Sequence, residues 1–208
     1  MRIRVSFAKT SAMRFTGHLD LFRTWERTIR RAGLPLAYSQ GFNPHPRMAL
    51  ACALPLGFTS EAELIDIWLE EDCALEEVSV AFSKAAPPGI QIQQIDEVDT
   101  HLPALQTVVD TAEYVITLLE ACPGLDQRLA DLLASESIPR QRRGKDYDLR
   151  PLIGSIERLE NDPHSGFARM RAVLAAREAA TGRPEELLEA LGVDPLAARV
   201  HRTRLNFR

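Results

Sequence analysis

Cysteines, aromatic residues and long apolar runs are all scarce in this sequence. Three cysteines occur, Cys52, Cys73 and Cys122. Their odd number and wide spacing argue against a disulfide framework and against a zinc or iron–sulfur site. No run approaches the roughly 20 apolar residues of a membrane span, and the first residues hold no apolar signal-peptide core. We therefore expect a cytoplasmic protein that makes no membrane contact.

Common catalytic signatures are missing as well. The sequence has no Gly-rich phosphate loop of the Walker or dinucleotide type. Ser39 and Ser60 lie outside any nucleophile-elbow context, and no cysteine forms a motif with histidine. Nucleophilic catalysis therefore finds little support, and whether the chain catalyses any reaction stays open at this stage.

Charge is unevenly distributed along the chain. The net charge of −4 argues against a wholly basic nucleic-acid-binding protein. Residues 1–50 nevertheless hold nine Arg and Lys against two acids, whereas residues 61–100 hold eleven acids against one lysine. Such a chain can present a positive face while it stays acidic overall. The alternative is that the two segments attract each other or remain solvated.

Hydrophobic periodicity predicts an alternation of strands and helices in the first hundred residues. The order is close to the βαββαβ order of a ferredoxin-like unit, with one extra or broken strand. Strands are predicted at about 2–8, 36–39, 48–56, 62–69 and 90–95, and helices at 18–32 and 75–86.

A linker at 101–106 separates this region from a second α/β pattern. Strands are predicted at 112–119, 138–142, 147–153, 167–175 and 200–207, and helices at 125–135 and 183–191. The fold class predicted is therefore α+β, with two tandem ferredoxin-like units whose antiparallel sheets carry helices on one face. The domains predicted are 1–100 and 107–208.

The first predicted helix carries a basic stripe. Its arginines recur at three- and four-residue spacing and therefore share one helix face. They are the best candidates for contacts with a nucleic-acid backbone. The alternative is a solvated face that pairs with the acidic segment. The residues are Arg23, Arg27, Arg30 and Arg31.

Polar residues also gather at the entrance of this helix and on a loop with two prolines at 40–46, the double-proline loop. In a ferredoxin-like unit these segments could meet at one edge of the sheet. A helix N-terminus with arginines suits a phosphate or carboxylate group, and His18 or His45 could act as acid or base. The alternative is local: His18 caps the helix, and Asn43 stabilises a turn. The predicted substrate-binding residues are Arg14, His18, Asp20, Asn43, His45 and Arg47.

A metal site built from His18, Asp20 and His45 is disfavoured. Two histidines and one carboxylate can hold a metal ion. His18 and Asp20, however, lie two positions apart and point to different helix faces. We expect neither a metal nor another cofactor.

Several motifs occur in a characteristic order along nearly the whole chain. They are RFTGHLDLFR (14–23), RRAGLP (30–35), YSQGFNPHP (38–46), LPLG (54–57), SEAE (60–63), RGKDYDLRP (143–151) and HRTR (201–204). In this series the chain resembles the radical-SAM-associated family of unknown function, whose members stand alone or are fused to a B12-binding radical SAM enzyme. The resemblance implies a separately encoded radical SAM partner and an RNA or ribosome-related substrate. The chain lacks a Cys-x3-Cys-x2-Cys triplet, so it cannot hold the radical SAM cluster itself.

The function predicted is an accessory or substrate-binding protein that acts with a radical SAM enzyme and presents a basic and polar site to an anionic substrate such as RNA. One alternative is a metal-independent RNA-processing enzyme that uses His18 and His45. Another is a protein–protein adaptor with the acidic stretch 61–77 as its contact. A second basic cluster, extended towards the C-terminus, could enlarge the basic surface. It comprises Arg140, Arg142, Arg143, Lys145, Arg150, His201, Arg202 and Arg204.

Overall fold

The computed structural model describes residues 1–142 and 144–208. Over these residues the chain is an α+β protein with five α-helices and mostly antiparallel strand pairs, which confirms the predicted class. It divides into two compact units, Met1–Val109 (unit 1) and Asp110–Arg208 (unit 2). In the described part of the chain, no helix is both long and apolar enough to cross a bilayer.

Unit 1 follows the order βαββαβ and ends in a short helix. Strands β1 and β3 pair antiparallel, β4 lies antiparallel on the other side of β1, and β2 pairs antiparallel with β3. The order across this sheet is therefore β2-β3-β1-β4. The strands are β1 (Arg2–Lys9), β2 (Met48–Leu50), β3 (Thr59–Trp68) and β4 (Ile90–Val98), and the helices are α1 (His18–Arg31), α2 (Leu75–Ala85) and α3 (Leu105–Val108).

The core of unit 1 follows from the alternation in β1 and from the apolar face of α1. Phe7 is fully buried, and its ring meets the edge of Trp25 at 4.8 Å between centroids. Trp25 also packs edge-on against Phe82 of α2 at 5.8 Å. Such aromatic pairs add about 0.5–1.5 kcal/mol beyond area burial. They hold both helices against the sheet and leave the opposite face of α1 exposed.

Two predicted strands of unit 1 differ in the structure. Residues 36–39 form only isolated bridges, Leu36 to Leu69 and Tyr38 to Pro46, instead of a strand. The strand predicted at 48–56 ends at Leu50. Pro55 lacks the N–H that a strand ladder needs, and Gly57 takes a φ of +87° that β structure does not allow. These residues therefore form an irregular connection into β3.

Unit 2 repeats the element order with insertions. In its sheet β8 pairs antiparallel with β9, β9 with β5, and β11 is the other neighbour of β5. The order β8-β9-β5-β11 thus corresponds to β2-β3-β1-β4 of unit 1. The strands are β5 (Val109–Leu118), β6 (Pro139–Arg142), β7 (Lys145–Asp148), β8 (Ile153–Leu159), β9 (Arg169–Arg177), β10 (Ala180–Thr181) and β11 (Ala198–Phe207), with helices α4 (Leu125–Ala134) and α5 (Pro184–Ala190).

The insertion in unit 2 is the β6–β7 hairpin, followed by a short 3₁₀ turn. The strand predicted at 147–153 does not form, because the turn over Arg150–Leu152 divides it between β7 and β8. Pro151 lies in this turn, where a missing backbone N–H is tolerated. The hairpin is therefore additional to β8, β9, β5 and β11, the four strands of unit 2 that have counterparts in unit 1.

Candidate functional site

Two of the sequence motifs meet where β1 ends. The fully buried ammonium of Lys9 donates hydrogen bonds to the carbonyls of Thr16 at 2.8 Å and of Phe58 at 3.1 Å. Arg14 Nε donates to the Gly57 carbonyl at 2.9 Å, and the Gly57 N–H donates to the Arg14 carbonyl at 2.9 Å. Residues 14–17, which lead into α1, are therefore fixed against the turn that precedes β3.

This junction exposes large apolar side chains. Phe15 is 77% exposed, Leu19 is 72% exposed and Leu56 is 62% exposed. The guanidinium carbon of Arg14 lies 5.3 Å from the centroid of the Phe15 ring. A cation over one face of an exposed ring leaves the other face open to a ligand. The entrance of α1 thus presents an aromatic ring beside a positive charge.

The arginine stripe (Arg23, Arg27, Arg30 and Arg31) runs from this junction along the exposed face of α1. Arg23 pairs with Asp20 at 3.6 Å and Arg30 pairs with Glu26 at 2.7 Å, both within the helix. Among the described residues, the side chains of Arg27 and Arg31 form no ion pair or hydrogen bond, and both are exposed. Leu19 lies one helical repeat before Arg23 and therefore shares the same face.

The acidic segment does not neutralise this stripe through ion pairs in the described part of the chain. Glu76 and Glu77 of α2 do line a groove of about 510 Å³ together with Arg31. Asp66 lies buried in the sheet and accepts hydrogen bonds from Arg2 and Arg4. Part of the predicted adaptor surface at 61–77 is therefore interior.

The double-proline loop is anchored at the other end of β3. The Arg47 N–H donates to the Ala37 carbonyl at 2.8 Å, and the Trp68 N–H donates to the Arg47 carbonyl at 3.0 Å. The Arg47 guanidinium carbon also lies 5.3 Å from the Trp68 ring centroid. Ser39 and His45 close the loop, because each accepts a hydrogen bond from the backbone N–H of the other residue.

The tip of this loop faces solvent. Phe42 is fully exposed at the tip, and Asn43 and His45 are exposed beside it. At the base of the loop, Arg30 Nε donates to the hydroxyl of Tyr38 at 3.1 Å. This hydrogen bond holds the pKa of the Arg30 guanidinium above its usual range. The far end of the arginine stripe is therefore joined to the loop that carries Phe42.

The expected meeting of the helix entrance and the loop at one edge of the sheet is wrong. In the strand register Lys9, at the helix entrance, pairs with Ser60, whereas Trp68, at the loop, pairs with Arg2. Eight residues at about 3.3 Å each separate Ser60 from Trp68, or about 26 Å. Arg14, His18 and Asp20 thus lie at one end, and Asn43, His45 and Arg47 at the other. Their roles in binding stay predictions.

No metal-binding cluster is found in the described residues. Over residues 1–142 and 144–208, no group of three or more His, Cys, Asp or Glu side chains is arranged to hold a metal ion. His18 and His45, which belong to the metal site that the sequence disfavours, lie near opposite ends of β3. The candidate site consists instead of exposed arginines on α1 and the exposed rings of Phe15 and Phe42.

Much of the second basic cluster is occupied by structural contacts. Arg142 forms a two-point ion pair with Glu186, and Arg150 donates to the carbonyls of Leu133 and Ser135 at the end of α4. Arg202 is fully buried. Arg143 lies outside the described residues. Arg142, Arg150 and Arg202 therefore do not contribute to a continuous basic surface on unit 2.

The fold and this surface define an α+β protein of two similarly ordered units, the first of which presents an arginine-lined helix between exposed aromatic rings. The chain belongs to the family described as "Uncharacterized protein conserved in bacteria (DUF2344)", which matches residues 2–184. This membership confirms a family of uncharacterised function, whereas the radical SAM association stays a prediction.

One solved structure is similar over nearly the whole chain. It is a chain of "Crystal Structure of a Cbf5-Nop10-Gar1 Complex", with 11% sequence identity and a TM-score of 0.51. The match covers 98% of the present chain and 48% of the other, so the chain spans about half the length of that relative. At this identity the likeness concerns the fold alone. No curated protein matches the sequence.

Proposed function

We propose that this protein binds single-stranded RNA along α1 and acts as an accessory, substrate-binding protein beside a separately encoded radical SAM enzyme. The observation that carries the proposal is the exposed arginine stripe between Phe15 at one end and Phe42 at the other. Proteins that hold single strands combine a positive path along the backbone with aromatic rings on which bases stack.

The dimensions of the stripe suit several consecutive phosphates. From Arg23 to Arg31 the helix rises about 12 Å. Arg27 and Arg31 have no protein anion as partner among the described residues, so contact with phosphate costs no ion pair at either position. Arg23 would exchange a solvent-exposed pair with Asp20 for a phosphate contact, and such exposed pairs contribute only about 0–1 kcal/mol. Arg30 would exchange its partly exposed pair with Glu26 within the same helix.

The exposed aromatic rings offer surfaces on which bases can stack, which is the role that aromatic side chains on the sheet face have in RNA-binding modules. Burying large apolar side chains is favourable, and Phe15, Leu19 and Phe42 remain open to solvent. A stacked base would cover Phe15 or Phe42 without reorganisation of the core. Stacking is tolerant of sequence, so we expect affinity for single strands with little base preference.

The topology supports a finer description of the fold. The order βαββαβ with a β2-β3-β1-β4 sheet is the split βαβ arrangement of ferredoxin-like units, and unit 2 repeats it. We propose two tandem ferredoxin-like units on this basis. The similar chain in a Cbf5-Nop10-Gar1 complex comes from a multi-protein assembly, which supports work alongside a partner by fold-level analogy alone.

The alternative enzyme proposal receives less support from the geometry. A shared role for His18 and His45 as acid and base needs both rings around one phosphate. The anchors of their segments lie about 26 Å apart along β3. The radical SAM partner rests on the motif resemblance, and it remains part of the proposal for that reason.

The test is RNA affinity as a function of salt. We expect the full chain to bind an unstructured U15 RNA with a slope of log affinity against log salt of about −3, since each of four phosphate contacts contributes about −0.7. The double variant Arg23→Glu/Arg27→Glu should reduce affinity tenfold or more and bring the slope to about −1.4 or shallower. Fluorescence anisotropy at several salt concentrations measures both quantities.

A matched charge reversal on unit 2 serves as the control. Arg183 and Arg199 are exposed and lie far along the sequence from α1. Arg183→Glu/Arg199→Glu changes the net charge by the same amount and should leave the slope near its original value. Equal losses of RNA affinity in both double variants, or no loss in the α1 variant, would contradict RNA binding by the arginine stripe.

A further inference from the structure

Unit 2 contains a cavity of about 430 Å³ between the β6–β7 hairpin and the turn that joins β9 to β10. This volume falls within the range of about 300–1,000 Å³ typical of small-molecule sites. Its wall combines apolar residues with a few polar groups, as such sites do. The lining residues that matter here are Arg142, Lys145, Tyr147, Asp148, Leu152 and Ala180.

Arg142 is held rigidly in the wall of this cavity. Its Nε donates to Glu186 at 2.8 Å, and its Nη2 donates to the other Glu186 oxygen and to the Thr181 carbonyl. Its guanidinium carbon lies 4.9 Å from the centroid of the Tyr147 ring. Because these contacts fix the side chain before any ligand arrives, Arg142 itself loses little conformational entropy on binding.

Lys145 faces Arg142 directly across the hairpin. The two residues are register partners in the antiparallel pair of β6 and β7. Like charges opposite each other in a sheet are destabilising. Glu186 neutralises Arg142, but among the described residues Lys145 has no anionic partner. An anion beside Lys145 would relieve this repulsion.

The Asp148 carboxylate in the cavity wall already accepts hydrogen bonds from the backbone. Asp148 Oδ1 accepts the N–H of Ile138 at 2.7 Å and the N–H of Arg150 at 2.9 Å. These backbone hydrogen bonds keep the pKa of Asp148 below its usual value, so its charge is already solvated by the protein. The Asp148 carboxylate therefore already accepts hydrogen bonds at the turn that precedes β8. The Lys145 ammonium, by contrast, has no anionic partner among the described residues.

Tyr147 provides an aromatic wall with a neutral hydroxyl. Burial and the neighbouring Glu186 carboxylate raise the pKa of Tyr147 to about 12. The hydroxyl therefore keeps its proton at physiological pH. Leu152 and Ala180 complete the apolar part of the lining.

We propose that this cavity binds a small organic anion, with its carboxylate or phosphate at Lys145 and its apolar body against the Tyr147 ring. The site lies within unit 2 and does not depend on the RNA-binding proposal for α1. A carboxylate and a phosphate share the chemistry that Lys145 recognises, and the two are separated by the choice of probe.

Isothermal titration of the full chain with benzoate, phenyl phosphate and neutral benzyl alcohol tests this proposal. We expect saturable one-site binding of at least one anionic probe and none of benzyl alcohol at equal concentration. Lys145→Gln should weaken binding of the anion about tenfold or more, because a charge-assisted contact is lost. Lys84→Gln on α2 is the matched control and should leave the affinity unchanged.

A second variant keeps the test decisive if Lys145→Gln fails to fold. Ala180→Leu adds volume at the wall and should abolish binding of the anion, while U15 affinity stays unchanged. The proposal is overturned if neither anion saturates, if benzyl alcohol binds as well as the anions, or if binding survives both substitutions.

Discussion

Replacing Asp66 by asparagine is expected to lower the free energy of unfolding of unit 1 by about 3–5 kcal/mol, the usual cost of leaving a buried charge without its partner. Asp66 is 0% exposed and Arg2 is 1% exposed. The carboxylate accepts from Arg2 Nε at 3.0 Å and from Arg4 Nε at 2.8 Å. Asparagine has a similar shape but no charge, so two guanidiniums would share a site without an anion.

The same cluster connects the sheet to the segment after β4. Arg2 also donates to the carbonyls of Leu102 at 2.7 Å and Pro103 at 3.0 Å. Once the Asp66 charge is removed, Arg2 loses the group that holds it in position for these contacts. We therefore expect the loss of stability to be accompanied by faster hydrogen exchange at residues 99–103.

Urea unfolding followed by tryptophan emission measures this effect. Both tryptophans, Trp25 and Trp68, lie in unit 1, so the signal reports on that unit. Asp96→Asn is the matched control, because Asp96 pairs in register with Arg4 but forms no ion pair in the described residues. It should cost less than about 1 kcal/mol. Equal effects of the two substitutions would contradict the account of the buried cluster.

Replacing both Phe15 and Phe42 by alanine is expected to lower affinity for single-stranded RNA by about 2–6 kcal/mol in total, since each stacked base contributes about 1–3 kcal/mol. Phe15 is 77% exposed, and Phe42 is fully exposed. Neither ring contributes to the core, so the unfolding free energy should change by less than about 0.5 kcal/mol. Anisotropy with U15 and A15 measures the affinity, and urea unfolding checks the stability.

Phe207→Ala provides the matched control for this prediction. Phe207 is 41% exposed and lies at the end of β11 in unit 2. Its replacement should leave RNA affinity unchanged. Loss of affinity in Phe207→Ala equal to that in the double variant would show that exposed aromatic area, and not its place beside the arginine stripe, determines binding.

The elements with strong periodicity could be predicted from the sequence. The helix predicted at 18–32 is α1 at 18–31, and the strand predicted at 62–69 lies within β3, at 59–68, except for its last residue. Both carry long apolar patterns that a core must bury. Residues 36–39 and 51–56 could not be assigned correctly, because their apolar residues still suggest a strand. Proline and glycine limit both segments: Pro35 and Gly41 flank the first, and Pro55 lies in the second directly before Leu56-Gly57.

The position of the candidate site was harder to predict than the fold. The order of the motifs shows that the helix entrance directly precedes α1 in the sequence and that the double-proline loop follows it. It does not tell which end of β3 each segment contacts, since that depends on the register of β1 with β3. The long connection from α1 to β2 lets the loop stay at the Trp68 end, opposite the entrance.

The exposed aromatic rings were missed because only the charged and polar side chains of the two motifs were considered as ligand contacts. Phe15 lies directly before Thr16-Gly17, and Phe42 directly after Gly41, which takes a φ of +125°. A phenylalanine next to such turn residues, outside any periodic pattern, was the available signal. Conversely, Arg142 and Arg150 were grouped in a second basic cluster, because the sequence does not show that Glu186, 44 residues from Arg142, and Leu133, 17 residues from Arg150, are their partners.

Photocrosslinking of the full chain to a U15 RNA that carries 4-thiouridine, with the attachment sites mapped by mass spectrometry, tests the central claim most directly. The account predicts adducts within residues 14–31 and 38–47, with none elsewhere above the level seen in the Arg23→Glu/Arg27→Glu variant. Adducts confined to residues 110–208, or a pattern unchanged by that variant, would contradict it.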